Sequence, residues 1–271
     1  GSWRYRIEVS KPQPTDSAPS DPVALHNAPG HLWHSMVRPL VPYAVRGAIW
    51  YQGESNAGRA EQYRTLLPAM IDSWRTAWAQ GDLPFYIVSL ANFRDRAEQP
   101  REHEWAELRE AQDLTARRLR QSGLALAIDI GDAKDIHPVN KQEVGRRLAL
   151  QALRQTYGKE VVAQGPTLAE CVIDAAEVRL RFADLGGGLA TSDGKPLRGL
   201  ALAGADRVFH WATEVRIEGA WVVAKSANVS QPVAARYGWD INPDINLINQ
   251  AGLPAVPFRT DAWPGITSGR R

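Results

Sequence analysis

Ala44-Val45-Arg46-Gly47-Ala48-Ile49-Trp50-Tyr51-Gln52 is a short, largely apolar run that stops at Gly53 and gives way to a stretch with helical spacing. Its length favours a strand, and the lack of strict alternation points to a strand covered on both faces, as in parallel sheets. Pro84 to Ala91 and Leu124 to Ile130 read the same way. A helical stretch follows each run: 59–79, with Leu66, Leu67, Met70, Ile71 and Trp74; 104–121, with Trp105, Leu108, Ala111, Leu114 and Leu119; and 140–157. The last has start chemistry, with Pro138 ahead of it and Asn140 followed three residues later by Glu143, as in a capping box. Three successive strand–helix units predict a right-handed α/β layer.

Three parallel strands are few for a doubly wound domain, whose common orders use five or six. If these are the last three of five, the strand Ala44 to Gln52 is left apolar and exposed at an edge, which natural sheets avoid. Another polypeptide, or an N-terminal portion removed from this one, is expected to cover it.

The remaining segments read differently. Residues 1–30, with five Pro between 11 and 30, form an extended connector; 31–157 hold the α/β layer; 158–235 form a β-rich module; and 236–271 are an irregular tail packing on the rest. In the module, Glu177 to Phe182, Glu214 to Ile217 and Ala220 to Ala224 alternate or run β-branched between glycine turns, predicting small antiparallel sheets. The start, Gly1-Ser2-Trp3-Arg4, reads as a cloning scar or a processed end.

Composition excludes several partner classes. Of 271 residues, 32 are basic and 30 acidic, a formal charge of +2 that gives no general attraction to nucleic acid or to an anionic membrane. No run of about 18 apolar residues is present to span a bilayer. The single cysteine, Cys171, forms no intrachain disulfide, and no Cys/His spacing suits zinc. Ten Trp against five Phe and seven Tyr supply indole faces suited to sugars or to core packing.

Two loops carry the chemistry. Gly131-Asp132-Ala133-Lys134-Asp135-Ile136-His137-Pro138 lies after a strand and before a helix, where α/β folds place ligands. His137 there can act as a general base if an acceptor holds its second ring nitrogen; Asp135 is the first choice of acceptor and Asp132 the second. The same residues also read as an ordinary loop, with Asp135 capping a turn and His137 on the surface. After the first strand, Gln52 can offer an amide N–H to an oxyanion, Gly53 permits a sharp turn and Glu54 can hold neighbouring donors. Ser55 is an alternative nucleophile on a strand-to-helix turn, or else a capping serine. Elsewhere, Arg109 and Glu110 read as an ion pair. Asp240, Asn242, Asp244 and Asn246 read as Asx turns, since Ile245 and Ala251 break the calcium-loop pattern.

Arg46 to Asn56, Trp105 to Gln112 and Asp129 to Pro138, together with Leu83 to Phe93 and the tail from Arg236 to Asp261, resemble the sialate O-acetylesterase family of SGNH-type hydrolases. The resemblance implies a partial SGNH-hydrolase-like (flavodoxin-like) parallel sheet with helices on both faces, followed by the antiparallel module. It implies removal of acetyl groups from sugar hydroxyls, of sialic acid or of a plant polysaccharide, without metal or cofactor and in a periplasmic or secreted setting. The base maps to His137 and the oxyanion donor to Gln52. The family's Gly-Gln-Ser-Asn nucleophile block is absent from these 271 residues, so the serine is expected from an N-terminal fragment of the same protein, with this chain inactive alone. The alternatives are a non-catalytic carbohydrate-binding or structural fragment, and an esterase using Ser55.

Overall fold

The computed structural model describes residues 30–271, so the expected connector lies, except for Gly30, outside the described residues. The chain divides into two compact units at Ala44. In the first, the described part holds short helical turns at Trp33–Val37 and Arg38–Leu40. The second, Val45–Arg271, contains all the described strands.

Strands β1 (Ala48–Trp50), β2 (Phe85–Val88) and β3 (Ser122–Ala125) pair in parallel in that order, and helices α1 (Ala60–Trp78), α2 (Glu104–Arg118) and α3 (Lys141–Gln155) follow them in turn. Strand alternation sorts the core. Phe85, Ile87 and Leu124 meet Tyr63, Leu67 and Leu108 from α1 and α2. Tyr86, Val88 and Ala125 meet Val144 and Leu148 from α3. Helices therefore cover both faces, as the apolar runs predict.

The third run is displaced. Strand β3 starts at Ser122, and Leu126 to Ile128 stay buried beyond its end without joining the ladder. Ser122 Oγ donates to the Phe85 carbonyl at 2.9 Å, which anchors the earlier start. Arg147 of α3 then draws the chain off the sheet, donating to the Leu126 carbonyl at 2.7 Å and to both carboxylate oxygens of Asp129 at 2.6 and 2.8 Å. Half of the capping box forms: Asn140 Oδ1 accepts from the Glu143 N–H at 3.2 Å. The Glu143 carboxylate turns instead to Arg146 and Arg147, whose hydrogen bonds hold it down at about 2.

The two edges of the parallel sheet differ. The Ala125 carbonyl accepts from Ser89 N–H toward β2, so the Leu124 and Leu126 carbonyls point outward; Gln151 and Arg147 of α3 cap them at 2.9 and 2.7 Å. Edge β3 is sealed. At β1, Ile49 is 69% exposed, matching the apolar edge expected from the sequence.

Ten strands follow: β4 (Thr167–Asp174), β5 (Glu177–Ala183), β6 (Leu189–Thr191), β7 (Leu200–Ala203), β8 (Phe209–Trp211), β9 (Glu214–Glu218), β10 (Trp221–Lys225), β11 (Ala234–Tyr237), β12 (Leu247–Asn249) and β13 (Phe258–Arg259). They form antiparallel sheets ordered β4-β5-β10-β9 and β13-β11-β7-β8, with a β12-β6 pair. The two larger sheets share one core, in which Val178, Leu180 and Val222 meet Leu202, Ala235 and Tyr237. The tail expected to be irregular thus contributes β12 and β13; strands of two or three residues between Pro and Gly leave no period to read.

Helix α2 is capped by a titratable group. His103 Nδ1 accepts from the Trp105 N–H at 3.1 Å, and burial, aided by Arg101 and Arg109 against Asp240 and Glu104, lowers its pKa below the usual 6.5. A native state that binds this proton more weakly than the unfolded chain keeps the full contribution above about 6.5 and loses it as pH falls through the folded value. His103→Asn supplies a cap acceptor that does not titrate. On lowering pH from about 7 to about 5, its Tm is expected to fall less than that of the wild type; parallel Tm curves would show that the cap does not titrate in this range.

Candidate active site

The strand order brings three loops side by side at the carboxyl ends of β1, β2 and β3. In the first, the Gln52 side chain is fixed at both ends: Oε1 accepts from Tyr63 Oη–H at 2.7 Å and Nε2 donates to Asn56 Oδ1 at 2.8 Å. Burial pushes the Tyr63 hydroxyl up to about 12, so it remains a donor across the physiological range. One Nε2 hydrogen of Gln52 is left uncommitted among the described residues. A side chain at Gly53 would meet Leu108 Cδ2 at 2.5 Å, and the Gly53 N–H donates to the Glu54 carboxylate at 2.9 Å. Ser55 is exposed in the 3₁₀ stretch Glu54–Arg59, and no histidine hydrogen-bonds it among the described residues.

The second loop is gripped by α2. Gln112 donates to the Gln52 carbonyl at 3.0 Å while its Oε1 accepts from the Leu90 N–H at 3.1 Å, tying the ends of β1 and β2 together. Arg109 is buried and donates to the carbonyls of Leu90 and Ala91 at 2.8 and 2.9 Å and to those of Asp240 and Ile241 at 2.5 and 2.8 Å. Burial pushes its pKa down to about 9, which leaves it protonated at neutral pH. The expected Arg109–Glu110 ion pair does not form. Adjacent helix positions point about 100° apart, and Glu110 pairs instead with Arg64 and Arg259.

The third loop carries His137. Asn92 accepts from the Gly131 N–H through Oδ1 at 2.6 Å, the Arg94 N–H donates to the Ala133 carbonyl at 3.0 Å, and a Cβ at Gly131 would collide with the Asn92 carbonyl oxygen. Against this support the chain turns back on itself. Asp135 Oδ1 accepts from the His137 backbone N–H at 2.8 Å and lies 3.3 Å from His137 Nδ1. The imidazole is 85% exposed and Asp135 55%, which leaves Nε2 open. Asp132 turns elsewhere, its Oδ1 accepting from the Lys134 N–H at 2.7 Å.

The structure therefore places Asp135, rather than Asp132, beside His137, and puts Gln52 on a separate loop with no hydrogen bond between the two. Sequence reasoning passed over Asn92, which lies in the Leu-Ala-Asn-Phe ending that follows β2 and also donates to Asn242 Oδ1 at 3.0 Å. The segment Asp240 to Asn246 is occupied by protein partners: Asp240 holds Arg101, Asp244 holds Arg96 and Arg198, and Asn246 accepts from the Arg198 N–H. Among the described residues no cluster of three His, Cys, Asp or Glu suits a metal ion, and no helix is long and apolar enough to cross a membrane.

A parallel sheet with helices on both faces, a Gln-Gly-Glu turn after its first strand and an Asp-x-His loop after its last define an SGNH-type carbohydrate acetylesterase fold. Residues 25–154 match the family described as carbohydrate esterase, sialic acid-specific acetylesterase. The chain is 31% identical over 164 residues to the sialate O-acetylesterase of Rattus norvegicus, covering 55% of this chain and 30% of that protein. It is 30% identical over 168 residues to the Homo sapiens sialate O-acetylesterase, covering 55% and 32%. The crystal structure of a carbohydrate acetylesterase from Xanthomonas citri superposes with a TM-score of 0.80 at 44% identity, covering 86% of this chain and 54% of that one. This chain thus spans about a third of the curated relatives' length and about half of the solved structure's.

Two substitutions test the supports. Arg109→Met removes four hydrogen bonds, leaves the buried Leu90 and Asp240 carbonyls without a donor and is expected to cost about 3–5 kcal/mol in urea unfolding; Arg109→Lys, with a smaller span of donors, restores only part of it. Gly131→Ala is expected to cost about 1–3 kcal/mol and to displace the His137 loop, read as a shift of the His137 ring resonances. An unchanged His137 spectrum would show that Asn92 does not set that loop.

Proposed function

We propose that this chain supplies the general base, its orienting carboxylate and the oxyanion-side turn of a carbohydrate O-acetylesterase whose nucleophilic serine comes from a segment outside these residues. The observation that carries the reading is His137 with Nδ1 at Asp135 and Nε2 open, on the loop after the last parallel strand. In the first step Nε2 takes the proton of the serine hydroxyl as its oxygen attacks the acetyl carbonyl. Asp135 stabilises the resulting imidazolium through Nδ1–H. The uncommitted hydrogen of Gln52 Nε2 stabilises the oxyanion, and the imidazolium returns its proton to the departing sugar oxygen. Water then repeats the cycle on the acetyl-serine, releasing acetate.

Two features support an outside serine. The Gly-Gln-Ser-Asn block is absent from the sequence, and the sheet is sealed at β3 while Ile49 is exposed at β1. A strand added beside β1 would carry a residue at its carboxyl end into the row of loops that holds Gln52 and His137. The acetylated substrate is a sugar or oligosaccharide, of the sialic acid or plant polysaccharide type.

The test uses protein that includes the serine-bearing segment, assayed on an acetylated sugar. His137→Ala is expected to lower kcat/KM by about 10³-fold or more, Asp135→Asn to lower it by about 10²-fold or more, and Asp132→Asn to leave it within about twofold. Undiminished turnover in His137→Ala would overturn the assignment. Covalent fluorophosphonate labelling of Ser55 in the 271-residue chain alone would replace the outside serine with Ser55.

A further inference from the structure

Away from the His137 loop, two adjoining cavities of about 230 and 290 Å³ share Gly199 and Trp211. Together they reach the size range of ligand pockets, about 300–1,000 Å³. Phe209 and Trp239 line the first, and Trp211 borders both. The Trp211 ring is pinned, because its Nε1–H donates to the Glu98 carbonyl at 2.9 Å. The Arg236 guanidinium lies 4.2 Å from the Phe209 ring centre and 5.0 Å from that of Trp239 and so occupies a face of each; Trp239 is buried, with Arg259 over it as well, and the half-buried Trp211 is the ring common to both cavities. Rigid aromatic faces of this kind bind the apolar C–H faces of pyranose rings with little ordering cost.

Most charged groups of the cavities are already engaged: Arg101 is paired with Asp240, and Arg207 lies 5.3 Å from the Trp263 ring centre. In the first cavity Glu102 is paired with Arg236 and accepts from Trp239 Nε1 at 3.3 Å; in the second Asp244 is paired with Arg198 and Arg96. Both carboxylates stay partly exposed, 39% and 43%. Each retains lone pairs for a sugar O–H, while its charge is already balanced by arginine. The loop 94–102 joins this groove to the site already described: Arg94 bonds the His137 loop, and Glu98 bonds Trp211.

We propose that these cavities form one saccharide-binding groove that takes two consecutive rings of a neutral oligosaccharide, with Trp211 bordering both. The assignment of these rings to the esterase substrate rests on the acetyl-sugar reading; the binding itself does not.

The test titrates the 271-residue chain with cellobiose, xylobiose and mannobiose, none of which carries an acetyl ester, following Trp indole N–H signals by NMR. At least one disaccharide is expected to shift the Trp211 signal with millimolar Kd, and its monosaccharide to bind about tenfold or more weaker. Trp211→Ala is expected to weaken the disaccharide by about tenfold, and Trp211→Phe, which keeps an aromatic face, to regain most of that loss. Val208→Asp, at a half-exposed rim position where the fold is not at risk, is expected to weaken it comparably. Absence of binding by all three disaccharides, equal binding of the monosaccharide, or undiminished binding by Trp211→Ala and Val208→Asp would overturn the groove. Because no ester is involved, those results leave the esterase assignment to its own assay.

Discussion

Four backbone carbonyls around the Arg109 guanidinium hold the loops of this molecule in place. The group is buried without a hydrogen-bonded carboxylate, so its hydrogen bonds all go to carbonyl dipoles, two from the end of β2 and two from the segment after β11, while the Asp240 carboxylate acts on its charge through space. The Leu90 and Asp240 carbonyls would otherwise be buried without a donor, whereas Ala91 also accepts from Trp105 Nε1 and Ile241 from the Phe93 N–H, and each bond to Arg109 is charge-assisted and stronger than a neutral one. The arrangement joins the parallel layer to the antiparallel module at the point where ligands approach. Asn92 with Asn242, and Arg101 with Asp240, add side-chain bonds along the same seam.

The layers of the fold were legible because long apolar runs and helical spacing report burial directly. Strand ends were less so. The run is buried from Leu124 to Ile128, but burial is satisfied equally by a strand and by a chain that Arg147 pulls away from the ladder. The reverse holds at Ser122 and Gly123, which have low strand propensity and yet pair with Phe85 and Tyr86. Buried polar side chains of α2 were the other blind spot. Glu107 accepts from the backbone of Ile266 and Thr267, and Gln112 bridges two loops. Such residues disguise a buried face as an exposed one, because periodicity counts apolar side chains only.

The sequence showed His137 in a short loop with two acids within reach, Asp135 and Asp132. What the sequence left open was which acid. The backbone N–H of His137 decides it: by binding Asp135 Oδ1, that N–H closes the turn and sets the same carboxylate beside Nδ1. Asp132 spends its oxygen on Lys134 and closes the preceding turn. The loop therefore consists of two consecutive side-chain-closed turns, of which only the second presents the imidazole. Its rigidity comes from local bonds and from Asn92 beneath, not from cover above.

The unequal edges of the parallel sheet set how it can be extended. With the β3 carbonyls capped by α3, growth is possible only beyond β1, and there the alternation of Ala48, Ile49 and Trp50 is already fixed by the core. Side chains repeat every second residue along a strand, so an incoming segment displaced by one residue presents its apolar set to the wrong face. Edge β1 is thus a template that accepts only alternate alignments. Shifting a docked segment by two residues would preserve its packing while moving its terminal residue by roughly 7 Å along the strand.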